Sequence, residues 1–151
     1  MQYWLLKTEP DAYSIDDLAR QGQTPWDGIR NFQARNFIRD QMQPDDEVLI
    51  YHSSCSKVGI AGHGRVASQP YADPAQFDET SPYYDPKATV QTPKWFVVDI
   101  AFVAKTEKLL PLKALKACDA LAELALFKQS RLSVVPVSAP HWAVIKELLT
   151  G

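Results

Sequence analysis

Apolar and polar positions divide this chain into short strands and shorter helices. Gln2 to Leu6 is aromatic and aliphatic until Lys7-Thr8-Glu9-Pro10 stops it, which predicts a first strand ending in polar groups. Ser14 is placed to cap a short helix, Asp17 completes a box-like signal, and Gly22 is placed to end it. After a loop from Gln23 to Gly28, a helix is predicted over about Arg30 to Asp40. Asn31, Arg35 and Arg39 then share one stripe, while Ala34, Phe37 and Ile38 face the core. Glu47 to His52 reads as a buried strand. Ile60 to Ala67, with Gly59, Gly62 and Gly64, reads as a bent or bulged one. Pro70 to Pro93 is an irregular, proline-rich excursion, and Lys94 to Val103 is the strongest strand signal in the chain. A short helix begins at Pro111-Leu112-Lys113, a second helical piece spans Leu121 to Phe127, and Ser133 to Val137 is a strand. Pro140 opens a last helix whose inward stripe is Trp142, Ile145 and Leu149.

No βαβ period repeats in this order, so a doubly wound parallel sheet is disfavoured. The expected class is α+β: a bent, mostly antiparallel sheet or small barrel with peripheral helices. The 151 residues fit one domain spanning 1–151, large enough to bury a core without staples. A net charge of -2 does not announce a nucleic-acid binder, so any basic surface must be local. Acids are absent from Val48 to Ala72 and from Ala125 to Lys146, which permits a basic face; buried strands lack acids equally well. Cys55 and Cys118 read as free thiols, and His52, His63 and His141 form no metal signature. Neither a signal peptide nor a membrane span is recognisable, and a cytoplasmic location is the default expectation.

The chemistry concentrates in Trp26-Asp27-Gly28-Ile29-Arg30-Asn31 and the four residues to Arg35. Trp26 offers a π face, Gly28 a sharp turn, Arg30 and Arg35 forks for phosphate oxygens, and Asn31 a paired donor and acceptor. Equally, Trp26 is core and the arginines pair with acids. Tyr51-His52-Ser53-Ser54 ends a buried strand in hydrogen-bonding groups, which suits a cleft or a capped turn. Glu9 suits the exocyclic amine of cytosine, or a salt bridge. Lys128 and Arg131 supply further cations, and Tyr83, Tyr84 and Asp85 lid a pocket or pin their loop to the core. P-loop, GxGxxG, HExxH and Cys-x-x-Cys patterns are absent, and no cofactor or metal is expected.

Eight blocks, in order from Tyr3 to Trp142, carry a family resemblance: YWLLKTEP, YSIDDL, WDGIRNFQARNFIRD, YHSS, GIAGHGRV, YYDPKA, PKWFVVDI and RLSVVPVS. Together they resemble the EVE domain family. The resemblance implies a PUA-like fold and kinship with YTH domains, which hold a methylated adenine in an aromatic cage. Trp26 sits where that cage begins, and Lys7-Thr8-Glu9 resembles the polar triplet ending the YTH first strand. Recognition of a modified base, notably cytosine in DNA, is therefore implied, with Tyr84, Trp95 or another aromatic as the second wall.

The resulting expectation is a non-catalytic module that binds nucleic acid, DNA or RNA, carrying a modified base. Its contact residues would be Lys7, Thr8, Glu9, Trp26, Asp27, Arg30, Asn31, Arg35, His52, Ser53, Arg131 and Ser133. Trp26→Ala is then expected to remove base discrimination and leave the fold intact. The rivals are a nucleotide-processing enzyme using His52 with Glu9 or Asp27, and a protein-interaction adaptor.

Overall fold

The opening apolar run becomes β1, Tyr3–Thr8, an inner strand of a six-stranded curled sheet in the computed structural model, which describes residues 1–150. β1 pairs in parallel with β3, Glu47–His52. The remaining pairings, through β2 (Gln23–Pro25), β4 (Gly59–Val66), β7 (Asp99–Pro111) and β8 (Val134–Val137), are antiparallel, in the order β2-β7-β4-β3-β1-β8. Trp4, Leu5, Leu6, Val48, Leu49 and Ile50 are all buried, which explains why β1 and β3 read as unbroken apolar runs. The α+β class and the bent, mostly antiparallel sheet agree with the sequence.

Helices flank the sheet. α1, Ile15–Gln21, starts with the expected capping box: the Ser14 hydroxyl accepts from the Asp17 N–H, and the Asp17 carboxylate accepts from the Ser14 N–H. α2, Phe32–Asn36, continues into a π-helical turn, Phe37–Gln41, with Ala34 and Ile38 facing the core. α3 (Leu112–Lys116) and α4 (Ala125–Lys128) are single turns, and α5, Ala139–Thr150, buries Trp142 and Ile145. β4 carries the expected irregularity, with register shifts against β3 and β7.

Three elements differ from expectation. The loop predicted over Gln23 to Gly28 contains β2, which pairs Gln23 with Ala101 and Pro25 with Asp99; three residues are too few to show alternation. The strand predicted over Lys94 to Val103 divides at Val98. Before it, β6 (Phe96–Val97) pairs with β5 (Tyr71–Ala72); after it, β7 joins the main sheet and runs to Pro111. Ala104 to Lys108 in β7 is mostly exposed and polar, so no apolar run connects the predicted strand to the half-buried Leu109 and Leu110. The helical piece predicted over Leu121 to Phe127 resolves into a 3-10 turn, Asp119–Leu121, followed by α4.

Candidate nucleic-acid interface

The parallel pairing of β1 and β3 brings two polar strand ends side by side, Lys7 beside Tyr51 and Thr8 beside His52. Around this edge lie two adjoining hollows. The smaller, of about 330 Å³, is lined by Trp26, Tyr13, Tyr83, Asp27, Lys7 and Thr8. The larger, of about 510 Å³, is lined by Glu9, Ser53, Lys116, Arg131 and Ser133, and it shares Lys7 and Thr8 with the first. Cavities of several hundred Å³ suit small planar ligands.

Local folding builds the smaller hollow. The turn at Gly22, with φ of 80°, ends α1 and returns the chain as β2. The Trp26 N–H donates 2.9 Å to the Val98 carbonyl, at the point where the β6–β7 strand changes sheets. Gly28, with φ of 76°, gives its N–H to the buried Asp73 carboxylate at 3.1 Å. A Cβ at Gly28 would come within 2.8 Å of the Tyr83 ring, so glycine is what lets Tyr83 seat against this turn. Tyr13 stands edge-on to Trp26, with centroids 6.0 Å apart and planes at 86°. The indole is only 7% exposed and belongs to the main core, yet it lines the hollow. The expectation that Trp26→Ala spares the fold is corrected on this ground: alanine would leave a core cavity.

The electrostatics of the edge are uneven. Lys7 has no ion-pair partner among the described residues; its ammonium donates 2.9 Å to the Ser130 carbonyl, and burial holds its pKa below the usual lysine value. Thr8 donates its hydroxyl 2.7 Å to the Tyr13 carbonyl, tying β1 to the segment before α1. Desolvation, and then repulsion from Asp73, raise the pKa of the Asp27 carboxyl. Arg131 is exposed and also borders a third hollow of about 300 Å³ beside Lys128 and Asn31.

Several residues of the Trp26 segment serve the scaffold. Arg30 pairs with Asp73 at 3.0 Å and donates 2.9 and 3.2 Å to the Tyr83 carbonyl. Arg35 donates 2.7 Å to the Lys94 carbonyl and lies over the Phe32 and Trp95 rings. The Asn31 side chain accepts the Ala34 N–H at 3.0 Å as the cap of α2, so its carbonyl oxygen is engaged in the helix. Arg30 thus makes the acid pairing open to it in the sequence, while Arg35 holds a backbone carbonyl instead of an acid.

Lys7, Thr8, Trp26 and Asp27 therefore come together in one hollow, and Lys7, Thr8, Glu9, Ser53, Arg131 and Ser133 in its neighbour. His52 does not join them. It faces a separate hollow of about 430 Å³ with Cys55, Asp16 and Lys105, apart from Glu9 and Asp27. His63 packs against Trp142, with centroids 5.5 Å apart, and does not line that hollow. No group of three His, Cys, Asp or Glu side chains able to hold a metal exists among the described residues. Neither suggested second wall reaches the Trp26 hollow. Trp95 donates its indole N–H 2.8 Å to Asp85 and stacks on Phe32, and Tyr84 lies outside. The other aromatics that line it are Tyr13, which opens the YSIDDL block but was given no role in the sequence, and Tyr83, which acts as both wall and pin.

A family model described as the EVE domain matches residues 2–148. Mouse thymocyte nuclear protein 1 is 38% identical, covering 97% of this chain and 73% of its own length. A protein from Pseudomonas putida has a similar structure, with a TM-score of 0.93 and 49% identity over 97% of this chain and 99% of that one. Human THYN1, solved in complex with DNA containing 5-methylcytosine, gives a TM-score of 0.95 at 35% identity, covering 100% of this chain and 99% of that one. No helix among the described residues is long and apolar enough to cross a membrane.

Proposed function

The chain belongs to the EVE domain family, and from that premise we propose that it is a non-catalytic module binding DNA that carries a modified cytosine. The carrying observation is the hollow of Trp26, Tyr13 and Tyr83 joined, through Lys7 and Thr8, to a second hollow bearing Arg131 and Lys116. The human relative solved with 5-methylcytosine DNA supports the choice of ligand.

A base extruded from a duplex loses its stacking, and an aromatic face restores on the order of 1–3 kcal/mol per base. Trp26 and Tyr83 offer such faces, and the apolar edge of Ile29 in the same hollow suits a 5-methyl group. Asp27 at the rim suits the exocyclic amine of cytosine and disfavours the carbonyl that thymine carries there. Lys7 sits between the hollows, where a nucleotide's phosphate meets both base and strand. Lys116 and Arg131 then follow the flanking backbone, with Ser53 and Ser133 as neutral donors.

Fluorescence anisotropy of labelled oligonucleotides tests this, using DNA and RNA strands that differ by a single 5-methylcytosine at low salt. Tighter binding of the methylated DNA is expected. Equal affinity for modified and unmodified strands would overturn the base-recognition claim, and absence of binding to all of them would overturn the nucleic-acid claim. A preference for the RNA series would move the target from DNA to RNA.

A further inference from the structure

His52 ends β3 on the side of the strand edge away from the Trp26 hollow. Its Nε2 accepts the backbone N–H of Ile15 at 3.1 Å. Ile15 is the first residue of α1, and the N–H groups of a first helical turn have no intrahelical acceptor. The capping box serves Ser14 and Asp17, and the imidazole serves Ile15. Two residues earlier is Tyr13, whose ring meets Trp26 and whose carbonyl holds Thr8. One imidazole nitrogen thus anchors the segment that builds a wall of the hollow.

An accepting Nε2 requires a neutral ring with its proton on Nδ1. Protonation would set one donor against another. We propose that His52 is a positioning residue for the base hollow: neutral, it holds Ile15 and through it Tyr13 against Trp26, and protonated, it releases them. The charged and titratable groups around it are Asp16 on α1, Asp11 before α1, Lys105 and Glu107 on β7, and Lys57 and Cys55 after β3. Asp16 is already paired with Lys105 at 2.8 Å. Burial lowers the imidazole pKa below 6.5, opposed by Asp16 and aided by Lys105. The ring is therefore mostly neutral at pH 7, and the release belongs below pH 6.5.

The inference rests on the proposed base site, and its test separates the two. NMR of the full chain follows the His52 ring, the Ile15 amide and the Trp26 indole N–H from pH 7.5 downward, alone and with a 5-methylcytosine oligonucleotide. The expected result is an Nδ1–H tautomer at neutral pH and one shared midpoint below 6.5 for all three signals. H52Q, which offers an amide oxygen that does not titrate, should abolish that transition, while H52A should shift the Ile15 and Trp26 signals even at pH 7. Oligonucleotide affinity should fall about tenfold in H52A, the scale of one buried N–H left without an acceptor, and recover in H52Q. An Nε2–H tautomer, an unchanged midpoint in H52Q, or unshifted Ile15 and Trp26 signals in H52A would overturn the proposal. If no oligonucleotide binds any form, the base-site assignment fails, and the spectra of the free protein still decide what His52 does.

Discussion

Arg30 and Asp73 meet at 3.0 Å across 43 residues of sequence, and the carboxylate they share is fully buried. Asp73 also accepts the N–H groups of Gly28 and Ala75, while Arg30 grips the Tyr83 carbonyl. One ion pair thus joins three parts of the hollow: the Trp26 turn, the 3-10 turn Pro74–Phe77 and the Tyr83 loop. The guanidinium groups of the Trp26 segment hold its shape from behind.

Removing Asp73 should therefore cost stability and binding together. Asp73→Ala leaves Arg30, mostly shielded from water, without its counter-charge and leaves the Gly28 N–H without an acceptor. Breaking a buried pair from one side typically costs about 3–5 kcal/mol. Urea denaturation should show a loss near the lower end, because the Arg30 side chain retains 21% exposure. At temperatures where the variant remains folded, oligonucleotide affinity should be weaker than in the parent.

Much of the frame was legible because its causes are local. The Ser14–Asp17 box and Gly22 mark both ends of α1, and the apolar run from Glu47 to His52 is β3 residue for residue. The elements that escaped depend on partners. Gln23–Pro25 is a strand only because Ile100 lies opposite Thr24, and the mostly exposed stretch Ala104 to Lys108 within β7 has no apolar pattern to detect. The same division runs through the site. Trp26 and Lys7 were visible by residue type. The partners of Arg30 and Arg35 were not: pairing with an acid was one of the two readings, but nothing singled out Asp73, 43 residues from Arg30, and the Lys94 carbonyl that Arg35 holds, 59 residues away, leaves no mark in residue identity. Tyr13 escaped because its place beside Trp26 follows from tertiary folding, which returns β2 past the start of α1.

Gly28→Ala should distort the hollow without touching the core. The left-handed φ of 76° costs an alanine roughly 1–2 kcal/mol, and its Cβ would also press on the Tyr83 ring at 2.8 Å. Tyr83 must shift, since the glycine turn is held by Asp73. A stability loss of that size with a larger fractional loss of oligonucleotide binding is expected. A Gly28→Ala chain that binds the oligonucleotide as tightly as the parent would show that binding does not depend on where Tyr83 sits against this turn.

Trp26→Phe is the informative substitution at the centre of the hollow. Trp26→Ala would empty a nearly buried site and cost on the order of 3–5 kcal/mol, confusing folding with binding. Phenylalanine keeps an aromatic face with less area, so discrimination between methylated and unmethylated cytosine should narrow while thermal unfolding stays cooperative. Unchanged discrimination in a folded Trp26→Phe and Tyr83→Ala pair would move the base elsewhere.

The cations of the larger hollow should report through salt. Arg131→Ala and Lys116→Ala each remove a side chain proposed to meet a phosphate, and each is exposed enough to leave the fold unaffected. The slope of log affinity against log salt should flatten by about one for each phosphate deprived of its cation, equally for methylated and unmethylated strands. Lys128→Ala should change the slope less, because that ammonium is paired with Glu123.

Acid should destabilise the protein from a higher pH than its carboxylates alone would set. His63 is held below its ordinary pKa of 6.5 by burial first and by Lys146 next, with Glu47 opposing and Arg65 adding, and its Nε2 is buried without a hydrogen-bond partner. His52 is lowered as well, chiefly by burial. Well above 6.5 both rings are neutral whether the chain is folded or not, so their full contribution is present. Below 6.5 the unfolded chain takes up protons that the folded one refuses, and stability falls until the pH has passed the folded values. Asp27, whose pKa is raised by desolvation, acts in the opposite sense, gaining stability as its own proton returns. Urea unfolding at stepped pH in an Asp27→Asn background removes that opposing contribution. There, the midpoint should decline as pH falls below 6.5, and His63→Gln and H52Q should each flatten the decline. A slope unchanged by both substitutions would assign the acid sensitivity to other groups.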